Sequence, residues 1–111
     1  MKRLRVLFHI DEIEKWNLTL TNVKNFLNGR EDSDILVVAN SIAVKGYMPS
    51  FELFDTIKEL SSKGVVFSAC NNALKGNSMV KEDIGEFIEI VPAGVIEIAE
   101  RQGEGYAYIR P

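Results

Sequence analysis

The run Ile35-Leu36-Val37-Val38-Ala39 is apolar at every position. A strand that reads this way is covered on both faces, which is the condition of strands in parallel sheets flanked by helices. Three further short stretches have similar character: residues 3–10 with Val6, Leu7, Phe8 and Ile10, residues 65–70, and residues 87–91. A fifth, residues 106–110, alternates, with Tyr106, Tyr108 and Arg110 on one face. Between these stretches the period changes to three and four. Ile13, Trp16, Leu20, Val23 and Leu27 stripe one helix face, Leu53, Phe54, Ile57 and Leu60 a second, and residues 95–102 form a short last helix. Residues 71–85 are mixed, with a short helical turn at Ala73-Leu74-Lys75.

Gly29 is expected to close the first helix in the left-handed conformation, Ser50 to cap the second, Gly64 to end it, and Gly103 to cap the last. Helical crossovers between two-sided apolar strands define the fold class as α/β, a three-layer α/β/α sandwich on a mostly parallel sheet of about five strands. The 111 residues suit a single domain spanning 1–111. Alternation alone leaves the strand order open.

Lys and Arg total 13 against 16 Asp and Glu, for a net charge of −3. The chain lacks the basic excess of a phosphate-backbone binder, so no nucleic-acid partner is expected. No apolar run approaches the roughly 20 residues of a membrane span. The basic residues Lys2, Arg3 and Arg5 precede an apolar stretch that meets Asp11 and Glu12, too short for a signal-peptide core. A lone cysteine, Cys70, forms no internal disulfide. The expected location is the cytoplasm, with no membrane partner.

In open parallel sheets, ligands bind beyond the carboxyl ends of the strands. Those ends carry His9-Ile10-Asp11-Glu12, Asn40-Ser41, Cys70-Asn71-Asn72 and Pro92-Ala93-Gly94. The single histidine and the single cysteine therefore fall at one edge. Cys70 precedes a helical turn, whose dipole and free N–H groups favour a thiolate nucleophile. The alternative is a buried, inert cysteine acting as a small hydrophobe. His9 has a near-neutral unperturbed pKa suited to proton transfer, or is a satisfied strand residue. Backbone N–H groups at Asn71, Asn72 and Gly94, together with Ser41, are candidates for holding an anion, although Pro92 and Gly94 better suit a simple tight strand-to-helix turn. Lys45 and Lys75 are loop cations at the same edge or simply solvated. Tyr106 and Tyr108 read as sheet packing or contact surface, since no basic stripe accompanies them.

One His and one Cys fall short of a zinc ligand set, and Asp11 and Glu12 would have to supply the rest, so no metal site is expected. There is no C-x-x-C, no P-loop and no dinucleotide fingerprint. The loop after Cys70 lacks the Arg of a cysteine phosphatase, and no acceptor Asp ends the third strand as in a phospho-receiver.

The string Val65-Val66-Phe67-Ser68-Ala69-Cys70-Asn71-Asn72-Ala73-Leu74 resembles the cysteine segment of the DsrE/DsrF-like family. Val6-Leu7-Phe8-His9-Ile10-Asp11 is similar to that family's first strand, and residues 102–111 resemble a small prokaryotic branch of it. The resemblance implies an α/β subunit assembling as a homotrimer or homohexamer. It also implies a persulfide carried at the position of Cys70, relay to and from sulfur donor and acceptor proteins, and no metal or organic cofactor. The chain is thus expected to be a cytoplasmic sulfur carrier using Cys70 and His9. The alternatives are a non-catalytic oligomeric module binding a small anion, metabolite or protein, and a redox sensor oxidised at Cys70.

Overall fold

The apolar run at Ile35–Ala39 lies in the middle strand of a five-stranded parallel sheet. The computed structural model describes residues 3–111, and Lys2 lies outside them. The strands are β1 (Arg5–Ile10), β2 (Asp34–Ala39), β3 (Val66–Cys70), β4 (Glu89–Val91) and β5 (Ala107–Ile109), in spatial order β4-β3-β2-β1-β5. All four pairings are parallel, with His9 beside Val38, Ala39 beside Ala69, Cys70 beside Val91, and Leu7 beside Tyr108. The helices are α1 (Trp16–Gly29), α2 (Phe54–Ser62), α3 (Asn71–Gly76) and α4 (Gly94–Gly103).

The order dictates where the helices go. From β1 to β4 the chain steps steadily toward one edge, so right-handed crossovers put α1, α2 and α3 on the same face. From β4 it returns past β1 to add β5, and that reversal puts α4 on the opposite face. The first face holds the larger core: Val6, Phe8, Val37, Phe67 and Ala69 of the strands under Trp16, Leu20, Val23, Ile57, Leu60 and Leu74 of the helices. The second holds Leu7, Leu36 and Val38 under Ile98, with Tyr106 packed alongside. One short helix therefore covers the second face, and Val66, Val95, Ile96 and Tyr108 remain exposed on that side.

Trp16 anchors the larger core. Its ring lies 5.2 Å from Tyr47 and 6.4 Å from Phe67, and its indole N–H donates to the Ala43 carbonyl at 2.9 Å. The 3₁₀ segment Ser41–Tyr47 can lie against the indole only because position 46 is glycine: a Cβ there would overlap the ring. Tyr47, wholly buried, donates its hydroxyl to the Ser68 carbonyl at 3.0 Å.

Three expectations about element ends are corrected. Gly29 and Gly103 are the last helical residues, and neither takes the left-handed conformation; Gly64 (φ 102°) follows α2 as expected, and Gly105 (φ 93°) turns the chain after α4. Ser50 caps nothing. Successive turns, Phe51 N–H to Met48 O and Phe54 N–H to Phe51 O, carry the chain on to Leu53 before α2 begins. Phe87 stands outside β4, because its ring packs on Phe54 at 5.6 Å.

Gly46→Ala is expected to lower stability by about 1–3 kcal/mol through overpacking against Trp16, read as a lower urea midpoint at unchanged m-value. Burial pushes the Tyr47 phenol well above its ordinary value of 10.0. The unfolded state then loses this proton first, so stability is level below about pH 10 and falls as pH rises further. Urea midpoints measured from pH 8 to 11 should decline above 10, and less steeply in Tyr47→Phe.

Candidate functional site

The chain leaves β3 into α3 on one face and the neighbouring β4 into α4 on the other, so the switch point lies between β3 and β4, beside Cys70 and Gly94. Crevices at such points bind ligands in open α/β sheets. Farther along the same edge, the carboxyl ends of β1 and β5 bring together groups 99 residues apart in sequence. Arg110 grips Asp11 with contacts of 3.0 and 2.9 Å to the two carboxylate oxygens. Asp11 first, and the Tyr108 hydroxyl second, hold the Arg110 guanidinium above its usual range.

Alternation along the strands turns His9, Asn40, Cys70 and Tyr108 toward the α4 face. His9 is 8% exposed and both ring nitrogens are engaged: Nδ1 lies 2.6 Å from Tyr108 Oη and Nε2 lies 3.0 Å from Asn40 Oδ1. An amide oxygen only accepts, so Nε2 carries the proton. Nδ1 of the neutral ring then accepts from the Tyr108 hydroxyl. The Asn40 oxygen faces β1, which leaves its Nδ2 on the side of β3.

Cys70 ends β3 and caps the start of α3, with Asn71 as the first helical residue. It is 6% exposed. Gly94, the first residue of α4, sits over it: a Cβ at 94 would lie 3.4 Å from the Cys70 Cβ, 3.3 Å from the Asn40 Cβ and 3.5 Å from Asn40 Nδ2. The thiol thus lies between the amino ends of α3 and α4. Neither helix has a side chain capping that end. The free N–H groups and dipoles of both ends favour negative charge at this point.

The structure brings Cys70, Gly94 and Asn71 into one locality and places His9 one residue away through Asn40. No hydrogen bond joins His9 to Cys70 among the described residues. Asn72 is exposed on α3. Ser41 is exposed, with a left-handed backbone (φ 53°), and its carbonyl accepts from Asn77 Nδ2 at 3.1 Å, which ties the end of β2 to the end of α3. Lys45 and Lys75 are both exposed. Asn40, Tyr108 and Arg110 form part of the site without having been singled out for it. The alternation that put Tyr108 and Arg110 on one face was visible, but their neighbour β1 was not.

An open hollow of about 250 Å³ next to the row is lined by His9, Tyr108, Val95, Ile98 and Gln102. A larger one, about 440 Å³, lies at the β4 edge among Ile84, Ile88 and Ile90, away from the thiol. Among the described residues no group of three or more His, Cys, Asp and Glu side chains could hold a metal ion. None of their helices is long and apolar enough to cross a membrane.

A parallel α/β sheet with a thiol at its carboxyl edge, between two helix amino ends, is the class of protein these features define. The family model described as DsrE/DsrF-like family matches residues 30–111, and the chain belongs to that family. The strand bearing His9 precedes the matched span. MTH1491, a protein of unknown function from Methanobacterium thermoautotrophicum, is similar at 39% identity and a TM-score of 0.93, over 97% of this chain and 99% of that one. The YchN protein of E. coli superposes with a TM-score of 0.82 over the same shares of each chain at 12% identity, a likeness of fold alone. No curated protein is significantly similar.

Gly94→Ala is expected to press Asn40 and Cys70 apart by a few tenths of an ångström and to cost about 1 kcal/mol. At the other end of the same helix, Gly103→Ala meets open space and should be neutral or stabilising. Thermal midpoints of the two variants check the contrast.

Proposed function

We propose that the protein is a sulfur carrier that relays sulfane sulfur as a persulfide on Cys70. The observation that carries this reading is the position of the thiol between the uncapped amino ends of α3 and α4. A thiolate so placed attacks the outer sulfur of a donor persulfide. The new S–S bond forms to Cys70 as the donor's S–S bond breaks, and the donor leaves as a thiolate. An acceptor thiolate then takes the outer sulfur by the same exchange and restores the Cys70 thiolate. Each step conserves the oxidation level, so neither metal nor organic cofactor is required. Backbone N–H groups at Asn71, Asn72 and Gly94 stabilise the anion, Ser41 lines the rim, and His9 sets the protonation of the site through Asn40.

The apolar residues left exposed around α4, Val95 at 67% and Ile96 at 57%, support assembly as a homotrimer or homohexamer. Cytoplasmic location and protein donors and acceptors belong to the same reading. The burial of Cys70 at 6% exposure favours a second one: an oligomeric module that binds a small anion, metabolite or protein at this edge, with the thiol only packing.

Intact mass of the purified protein, after incubation with a low-molecular-weight persulfide, separates them. The carrier gains about 32 Da, reversed by reductant and absent in Cys70→Ser, which assembles normally. Loading retained in Cys70→Ser, or no loading together with a thiol inert to alkylation, contradicts the carrier and leaves the binding module.

A further inference from the structure

We infer that the Asn40 side-chain amide is the donor that holds the sulfur anion at Cys70, and that His9 and Tyr108 are positioning residues that keep its Nδ2 turned toward that sulfur. The assignment builds on the persulfide reading of Cys70. Its basis is the polarity of one hydrogen-bonded row across three strands. Arg110, held by Asp11, stands beside the start of the row. Tyr108 Oη then donates to His9 Nδ1 at 2.6 Å, and His9 Nε2 donates to Asn40 Oδ1 at 3.0 Å. Each member has one orientation available once its predecessor is set, and the last fixes the Asn40 amide. With Oδ1 committed toward β1, Nδ2 projects toward β3 and Gly94, where a Cβ would stand 3.5 Å from Nδ2 and 3.4 Å from the Cys70 Cβ. No acceptor among the described residues takes the Nδ2 hydrogens.

An independent observation points to the same ligand chemistry. Ser68 Oγ, fully buried, is the one buried side-chain polar atom without a partner among the described residues. It lies on the same face of β3 as Cys70, two positions earlier. Buried donors left unpaired are costly. The Ser68 hydroxyl is thus a second donor without a partner on the face of β3 that carries Cys70, as a site for a thiolate or persulfide anion requires.

Among the described residues, the titratable and charged groups on this side of the sheet are His9, Tyr108 and the Asp11–Arg110 pair at the carboxyl end, Glu97, Glu100 and Glu104 on or at the end of α4 with Arg101 between Glu97 and Glu104, Tyr106 against Arg5 and Arg101, and Glu89 of β4 with the Arg5–Asp34 pair toward the amino end. β2 presents Asn40, and α3 carries only the exposed Lys75.

The test is the pH profile of Cys70 alkylation by iodoacetamide in the full chain, whose single cysteine makes the signal unambiguous. Asn40→Asp keeps the oxygen that His9 bonds and replaces the donor with a second oxygen. It should raise the alkylation midpoint by at least one pH unit, about tenfold less thiolate at neutral pH. Tyr108→Phe, at a 39% exposed strand edge, removes the hydroxyl that sets the His9 tautomer. Its midpoint should rise by a smaller amount while its circular dichroism stays that of the wild type. A wild-type profile in Asn40→Asp overturns the donor assignment, and a wild-type profile in Tyr108→Phe overturns the positioning role. Should Asn40→Asp not fold, Asn40→Ala is read against the same expectation. Persulfide loading with unshifted profiles contradicts this inference and leaves the carrier; shifted profiles in protein that never loads support it and contradict the carrier.

Discussion

The right-handedness of the β–helix–β crossover is the constraint from which the rest of this structure follows. Three steps in one direction place α1, α2 and α3 on one face. The single backward step to β5 places α4 on the other and makes β5 the neighbour of β1. Everything distinctive at the carboxyl edge depends on that step. It sets Tyr108 against His9 and Arg110 against Asp11, and it starts α4 beside Cys70. It also leaves one face of the sheet under a single helix, with Val66, Val95, Ile96 and Tyr108 exposed there.

The two faces meet different physical demands. Below the sheet, Trp16, Tyr47 and Phe67 pack edge to face, and Gly46 gives up its side chain so that the indole can fit. Above it, polar side chains occupy the strand ends and pair with each other rather than with apolar neighbours. His9 joins Tyr108 on one ring nitrogen to Asn40 on the other, and Arg110 pairs with Asp11 beside them. Such a row is worth having where a negative charge is to be held, because each donor is oriented before the ligand arrives.

Much of this was legible in the residues. The two-sided apolar runs identified the strands, and knowing the strands put Cys70 and His9 at one edge, since parallel strands end together. The family likeness was carried by the same strand-to-loop string. What was not legible was adjacency. Alternation marked Tyr108 and Arg110 as one face of a fifth strand, yet nothing local says that this strand pairs with β1, so the partners of His9 and the role of Asn40 stayed hidden. Gly64 was read correctly as the end of α2, but a glycine that ends a helix and one that turns the chain beyond it look alike in sequence, so Gly29 and Gly103 were given a left-handed or capping role that at the last helix falls to Glu104 and Gly105. Ser50 looked like a cap because the turns that displace α2 depend on backbone bonds, which leave no side-chain signature.

The chain has a single histidine, and its ring reports directly on whether the row is set as described. Two-dimensional ¹⁵N correlation of the His9 imidazole at neutral pH, in the uniformly labelled protein, reads the tautomer from the two nitrogen shifts. The account expects Nε2 protonated and Nδ1 unprotonated, with the reverse or averaged pattern appearing in Tyr108→Phe. An Nδ1-protonated or freely averaging ring in the wild type would contradict it, because the Asn40 amide would then have no fixed direction in which to meet Cys70.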